Sequence, residues 1–294
     1  MKKDIIFSVV IVSYRNLKVL KDTLDSLMKY NDIGDALEII VVDNSPEDDL
    51  YNHLQENYPR VISVKNENKG FGHGNNVGAG HASGKYLLLL NPDTILVEPI
   101  LQFAINAFEK DPKLGLFGVK LVDSELKRNH SFYIMDRIGF LVAQEEKMAN
   151  AMDRYRDGKM YIAGADLFLR KEAFVKSGGF DENIFMYSEE ADLTRRVRSL
   201  GYHTAYFKEK RIIHLEGKTT EKSLASEKWR LESKAYYSAK YGLNYRKSLV
   251  DERNYDLLKI MIFRLMRPGK VKALKEKVAM LNDLIKKEDE RIEQ

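Results

Sequence analysis

The stretch Tyr86-Leu87-Leu88-Leu89-Leu90-Asn91-Pro92-Asp93-Thr94 reads as a buried strand that ends on a polar turn. An uninterrupted apolar run is the pattern of a strand covered on both faces. Pro92 lacks the N–H that a ladder needs and pushes Asn91 towards an extended conformation, so the strand stops there. An acidic side chain, Asp93, follows at once. Open α/β sheets bind ligands outside the carboxyl ends of their strands. The run therefore predicts an α/β fold with a carboxylate at its ligand-binding edge. Turn chemistry alone also produces Asn-Pro-Asp. Two more ionisable clusters favour a site: Ser188-Glu189-Glu190-Ala191-Asp192 and His214-Leu215-Glu216-Gly217.

The segments upstream repeat the pattern. Phe7 to Val12, Glu38 to Val42 and Val61 to Val64 predict buried strands. Apolar residues at 17, 20, 24, 27 and 28 predict an amphipathic helix over Leu17 to Tyr30. Leu50 to Tyr58 predicts a short helix, and Gly70 to Gly84 a glycine-rich loop that continues as a helix. Three successive strand–helix units imply a parallel sheet with right-handed crossovers. The loops Ser13-Tyr14-Arg15, Asp43-Asn44 and Asn91-Pro92-Asp93 then share one sheet edge.

Composition bounds the class. The 294 residues are 44% hydrophobic and 31% charged, which suits a globular protein with a sizeable core. The absence of cysteine excludes disulfides and thiolate metal sites. The net charge of +4 is small and its signs are interspersed, so no nucleic-acid partner is expected. No run reaches the ~20 apolar residues of a membrane span. Met1-Lys2-Lys3-Asp4-Ile5 leads into a strand without the pattern of a secretory signal. A cytoplasmic location is expected, with contact at the inner face of the cell membrane an option.

A dinucleotide-binding fold would carry G-x-G-x-x-G directly after its first strand. Here Ser13-Tyr14-Arg15-Asn16 follows instead. The glycines come after the third strand, in Lys69-Gly70-Phe71-Gly72-His73-Gly74-Asn75-Asn76. Their N–H groups, with Lys69 beside them, could approach a diphosphate. A backbone held tight against the sheet would need the same glycines. Asp43 could read a ribose or a base edge.

A diphosphate carries charge that Mg²⁺ or Mn²⁺ can bridge, using one or two protein carboxylates. Asp93 is the candidate carboxylate. His214, after the short strand Arg211-Ile212-Ile213, is the candidate imidazole, with Gly217 following in a turn. The cluster at 188–192 predicts a helix start, with acids in the first turn and Asp192 able to pair with Arg195 or Arg196. Its acids exceed what capping needs. Glu190 is the candidate general base for an acceptor hydroxyl, and Glu189 the alternative.

The ordered set of motifs resembles the family 2 inverting glycosyltransferases of the GT-A fold. It runs Val-Val-Ile-Val-Ser-Tyr, Val-Val-Asp-Asn-Ser, the glycine-rich Asn68 to Gly78, Leu-Asn-Pro-Asp-Thr, Gly164 to Phe174, Gly178 to Glu182, the acidic cluster and the histidine. Asn-Pro-Asp with Gly-Asn-Asn is similar to the rhamnosyltransferase branch, which uses dTDP-L-rhamnose. A UDP-hexose donor on the same fold is the alternative. The resemblance implies a nucleoside pocket at Ser13, Tyr14 and Asp43, with Asp43 accepting from the pyrimidine imide. It places Lys69, Gly70, Gly74, Asn75 and Asn76 along the donor cleft and Asn91 at the ribose. It makes Asp93 and His214 metal ligands for Mg²⁺ or Mn²⁺. The family usually shows Glu-Asp where this chain has Glu189-Glu190. The implied fold is a mostly parallel sheet flanked by helices, with a helical C-terminal extension. The implied partners are a nucleotide-sugar donor and a glycan or lipid-linked saccharide acceptor, in cell-envelope polysaccharide assembly.

The expected division is a catalytic domain over residues 1–220, its nucleotide half at 1–94 and acceptor half at 95–220, then an extension over 221–294. The segment 123–160 breaks the pattern and reads as an acceptor-side lid or a surface elaboration. Leu257 to Met266, with Arg267-Pro268-Gly269-Lys270, could lie in a membrane interface or dock on the catalytic domain. Val271, Leu274, Val278, Leu281 and Ile285 form a stripe that could pair two chains as a homodimer or fold back. The rival classes are a retaining or nucleotidyl-transferring enzyme, a carbohydrate-binding module and a scaffold.

Overall fold

A computed structural model describes residues 4–215 and 224–293. The chain opens with the expected strand–helix repeats: β1 (Phe7–Ser13), α1 (Leu17–Lys29), β2 (Leu37–Asp43), α2 (Asp49–Asn57), β3 (Val61–Lys65), α3 (Phe71–His81) and β4 (Tyr86–Leu90). Then come β5 (Thr94–Leu96), α4 (Leu101–Lys110), β6 (Leu114–Val122), β7 (Phe132–Ile134), α5 (Phe140–Ala151), β8 (Met160–Ile162) and β9 (Asp166–Arg170). The remainder is α6 (Lys171–Lys176), α7 (Glu189–Ser199), β10 (His203–His214), α8 (Leu224–Lys240), α9 (Tyr245–Met266) and α10 (Val271–Glu293).

The main sheet has the order β3-β2-β1-β4-β9-β6-β10-β5. β1 to β4 are mutually parallel, as the repeats require, and β10 runs parallel to β6. β9 enters antiparallel between β4 and β6, and β5 pairs antiparallel with the end of β10. The period-2 alternation of β1 splits its side chains between two cores. Phe7, Val9 and Ile11 face Leu20, Leu24 and Leu27 of α1. Val10 and Val12 face the α3 side with Ala79. Met28 does not extend the α1 stripe; it is exposed, and Thr23 takes a buried place instead.

Helix α3 starts at Phe71, with no long loop before it. A Cβ on Gly74 would lie 2.7 Å from Val12 Cγ1, and one on Gly78 would lie 2.3 Å from Val10 Cγ1. These glycines, one turn apart, let the helix sit against β1. Close packing accounts for their spacing. The strand ending in Arg211-Ile212-Ile213 is also longer than its apolar core suggests. Its first half is only half-buried, and the register shifts between Phe207 and Arg211.

The 123–160 segment folds as the β7–β8 hairpin sheet carrying α5. The C-terminal stripe takes the fold-back arrangement. Val278, Leu281 and Ile285 are buried, and Leu281 and Ile285 pack with Leu231, Tyr245 and Leu249 of α8 and α9. Among the described residues, no helix is long and apolar enough to cross a membrane.

Candidate active site

A cleft of about 1720 Å³ runs along the carboxyl ends of β1, β2 and β4. Its first corner is the turn after β4. The Asn91 N–H donates to the Ala165 carbonyl at 3.0 Å, and the Thr94 hydroxyl donates back to Asn91 O at 2.8 Å. The buried Thr23 hydroxyl of α1 lies 2.7 Å from both the Pro92 and Thr94 carbonyls. Leu96 N–H donates to Ser26 Oγ, so α1 holds the whole turn. The turn buries Asp93, and the β5–β10 ladder brings His214 to it: Nε2 is 3.4 Å from Asp93 Oδ1. His214 Nδ1 is buried and makes no hydrogen bond among the described residues. Glu216 and Gly217 lie outside the described residues.

An oxygen and a nitrogen donor facing one another suit Mg²⁺ or Mn²⁺. No group of three His, Cys, Asp or Glu side chains is placed to hold a metal among the described residues. The pair would therefore hold a cation only with further ligands from outside these two residues.

The second corner is the start of α7. Tyr187 and Ser188, neither of them glycine, both have φ of +72°, an unusual left-handed pair. The sharp turn they make sends Glu189 inward and Glu190 into the cleft wall. A Cβ on Gly164 would lie 2.2 Å from Glu190 Oε1, so only glycine leaves room for that carboxylate. Burial pushes the Glu190 carboxyl up to about 7, against stabilising N–H groups of its own backbone and Gly164. Burial drives Glu189 well above the usual carboxylate range, and the neighbouring Glu190 adds to it. Both carboxyls are thus raised, and being neighbours they titrate as a pair. Asp192 is a structural acid. It binds Arg196 through Oδ2, and Lys240 and Tyr241 through Oδ1, tying α7 to α8. Arg195 turns instead to Asp136 and Tyr237.

The third corner is the β1–β2 edge. Ser13 Oγ is buried without a hydrogen bond among the described residues, and Tyr14 is exposed at the cleft rim. Asp43 is fully buried. Its Oδ1 accepts from the Ser45 N–H at 2.9 Å and its Oδ2 meets Lys65 Nζ at 3.2 Å. It supports the loop from below, and its neighbour Asn44 lines the cleft.

Ser13, Tyr14, Asn91, Asp93, His214, Glu189 and Glu190 thus converge on one cleft. Lys69, Gly70, Gly74, Asn75 and Asn76 do not line it. Lys69 pairs with exposed Glu67. A Cβ on Gly70 would strike the Phe185 carbonyl at 2.2 Å, so that glycine lets the loop before α7 close over α3. Asn75 bonds Phe71 O within its own helix, and Asn76 clamps the Phe180 backbone from both its amide atoms. For Gly70, Gly74 and Asn76 the physical reason is shared: they space a helix against the sheet and the acid loop.

Helix α8 supplies cleft residues with no sequence signal beyond helical spacing. Trp229, Arg230, Lys234 and Tyr237 line the wall opposite the sheet. Trp229 packs on Phe185 at 4.9 Å, and Ser233 Oγ donates to Met186 O. Burial brings Lys234 down to about 8 despite Glu252 beside it.

The family model described as "Glycosyltransferase like family 2" matches residues 4–231. The chain is 25% identical over 264 residues to the rhamnosyltransferase WbbL of Escherichia coli (strain K12), across 84% of this chain and 96% of that protein. It is 25% identical over 202 residues to the poly-beta-1,6-N-acetyl-D-glucosamine synthase of Staphylococcus aureus (strain COL), across 66% of this chain and 46% of that one. Among solved structures it is similar to the mannosyltransferase PcManGT from Pyrobaculum calidifontis in complex with GDP-Man and Mn²⁺. That likeness has a TM-score of 0.55 at 15% identity, over 94% of this chain and 75% of the other. The fold is GT-A, as the sheet order and these likenesses agree.

Proposed function

We infer the reaction from one premise: this chain belongs to the glycosyltransferase like family 2. It moves a sugar from a nucleotide-diphospho-sugar to an acceptor hydroxyl. The observation that carries the reading is the convergence of Asp93, His214 and Glu190 on a single cleft. Glu190 takes the proton of the acceptor hydroxyl as that oxygen attacks the anomeric carbon. One displacement from the face opposite the leaving group inverts the configuration. Glu189, buried at the same helix start, shapes the pocket beside it. Ser13, Tyr14 and Asn44 meet the nucleoside, and Asp43 holds their loop. Asn91 meets the ribose. Asp93 and His214 hold Mg²⁺ or Mn²⁺. When bound, that cation supplies positive charge to the departing diphosphate.

Residues 1–94 form the nucleotide half and 95–220 the acceptor half of the catalytic unit. The extension over 221–294 contributes α8 to the cleft wall. The donor in this reading is dTDP-L-rhamnose, and the acceptor a glycan or lipid-linked saccharide of an envelope polysaccharide. Similarity to the E. coli rhamnosyltransferase supports the donor. Similarity to the S. aureus poly-beta-1,6-N-acetyl-D-glucosamine synthase favours a second reading, an N-acetylglucosamine or other hexose donor in place of rhamnose, for which a UDP-sugar is the alternative donor class.

Competition calorimetry with dTDP-rhamnose, UDP-glucose, UDP-galactose and UDP-N-acetylglucosamine, in Mn²⁺, tests the donor. Tightest binding and turnover with dTDP-rhamnose is expected. Preference for any UDP-sugar overturns the donor and leaves the inverting reaction standing. The thymine methyl is worth about 1–3 kcal/mol in a fitted pocket, so the sugar must supply the rest of any discrimination.

A further inference from the structure

The cleft has an apolar mouth. Phe140 and Leu141, at the start of α5, line the cleft and are also exposed, Leu141 to 77%. The Phe140 ring lies 6.2 Å from that of Tyr255 on α9, so the two helices meet at this rim. On α9 the cleft is lined by Lys247, Ser248, Asp251, Asn254, Tyr255 and Leu258. Helical spacing continues that stripe past the cleft as Met261 and Ile262. Both are exposed, Met261 to 67%. The opposite side of the same helix is occupied: Leu249, Glu252, Asp256 and Ile260 are buried.

Past the cleft, the charge that follows this rim along the chain is of one sign. From Leu257 to Lys275 the chain has basic residues at Lys259, Arg264, Arg267, Lys270, Lys272 and Lys275, and no acid. Lys259 pairs with Asp256. The other five are exposed, and none pairs with a carboxylate among the described residues.

We propose that this rim, Phe140 and Leu141 with Met261 and Ile262, docks on an anionic phospholipid bilayer, with Arg264, Arg267 and Lys270 meeting the headgroup phosphates. Exposed apolar side chains on a helical stripe enter the acyl boundary, while adjacent cations remain at the phosphates. Charge separates this occupant from a second copy of the chain. A symmetric pair would bring two basic segments together, which like-charge repulsion opposes. Docked in this way, the mouth of the cleft faces the lipid. The proposal stands apart from the donor sugar.

The test is sedimentation of the full chain with vesicles of phosphatidylcholine alone, and of phosphatidylcholine mixed with phosphatidylglycerol. Binding at least about tenfold tighter to the mixed vesicles is expected, weakening as salt is raised. R264E/R267E/K270E should lower the partition at least about a hundredfold, at roughly fivefold per basic residue removed and more for the acids added. L141D/M261D should lower it at least about tenfold. Both sets of side chains are at the surface, so the thermal midpoint should hold. Hydrogen exchange of wild type adds a readout without substitution: residues 138–142 and 257–264 should exchange more slowly with mixed vesicles. Equal binding to both vesicle types, or full binding by either variant, overturns the proposal. So does a concentration-dependent dimer that L141D dissolves, which assigns the rim to a second copy.

Discussion

Asp93 and His214 face each other because Thr94 and His214 are register partners in the antiparallel β5–β10 ladder. The Leu215 N–H donates to the Asp93 carbonyl at 2.9 Å and extends that ladder by one step. The carboxylate and the imidazole are therefore presented by backbone hydrogen bonds, on rigid elements. A site on strands keeps its geometry better than one on loops.

Asp93→Ala should leave the fold intact and abolish cation-linked donor binding. In wild type, Mn²⁺ with a nucleoside diphosphate should raise the thermal midpoint, since a ligand of the folded state stabilises it by mass action. The variant should show no cation-dependent rise, and its turnover should drop at least about 10²-fold. An equal rise in both proteins would remove the metal role from Asp93.

Glu190→Gln keeps the shape of the side chain and removes its basicity. Turnover should fall by about 10²–10⁴-fold, with donor affinity little changed. Glu189→Gln keeps the shape of the buried neighbour and leaves Glu190 in place, so with Glu190 as the base it should retain most activity. Steady-state kinetics and donor calorimetry on both variants decide the assignment. A dead Glu189→Gln beside an active Glu190→Gln would reverse it.

The pH profile follows from the raised Glu190. The base must be ionised, so kcat/KM should climb with pH and level off above about 7. Stability moves the other way. Below the unfolded carboxyl value both states hold the proton. Between that value and about 7, the folded chain keeps the proton that the unfolded chain has lost. Stability should therefore fall as pH rises through this window. Glu190→Gln, which cannot titrate, should exceed wild type at pH 8 by on the order of 1–3 kcal/mol. Urea titrations at pH 5 and pH 8 measure it; a difference that does not change with pH would show that the carboxyl is not raised.

Gly164→Ala tests the seat of that carboxylate. The added methyl would overlap Glu190 Oε1 at 2.2 Å and crowd Cδ at 3.0 Å, so the side chain must move. A displacement of this size should cost turnover about 10²-fold with donor binding retained. Unaltered turnover would show that Glu190 acts from another rotamer.

Much of this was legible from local pattern. Apolar runs marked β1, β2 and β4, because burial on both faces favours apolar side chains along the whole strand. Pro92 marked the end of β4, and the acids at 189–192 marked the start of α7. Those residues report on their own backbone and burial, which depend on near neighbours. The stripe Val278, Leu281 and Ile285 was legible as a buried helix face, while its partner was open between another chain and its own α8 and α9.

The tertiary structure decided the rest. That the Asp43 carboxylate meets Lys65 across the β2–β3 pairing, as well as the Ser45 N–H, was not legible in the sequence. Gly70 and Gly74, in the segment read as a phosphate cradle, lie against Phe185 and Val12, contacts that the local sequence does not announce. Trp229, Arg230 and Lys234 gave no signal, because a cleft wall on α8 has the same mixed composition as a solvated face. The residue types at these positions are equally good for solvent, packing or ligand. Which one applies depends on the strand order and on the register of β10. Pairings between distant segments set both, and the residues flanking each position carry no record of them.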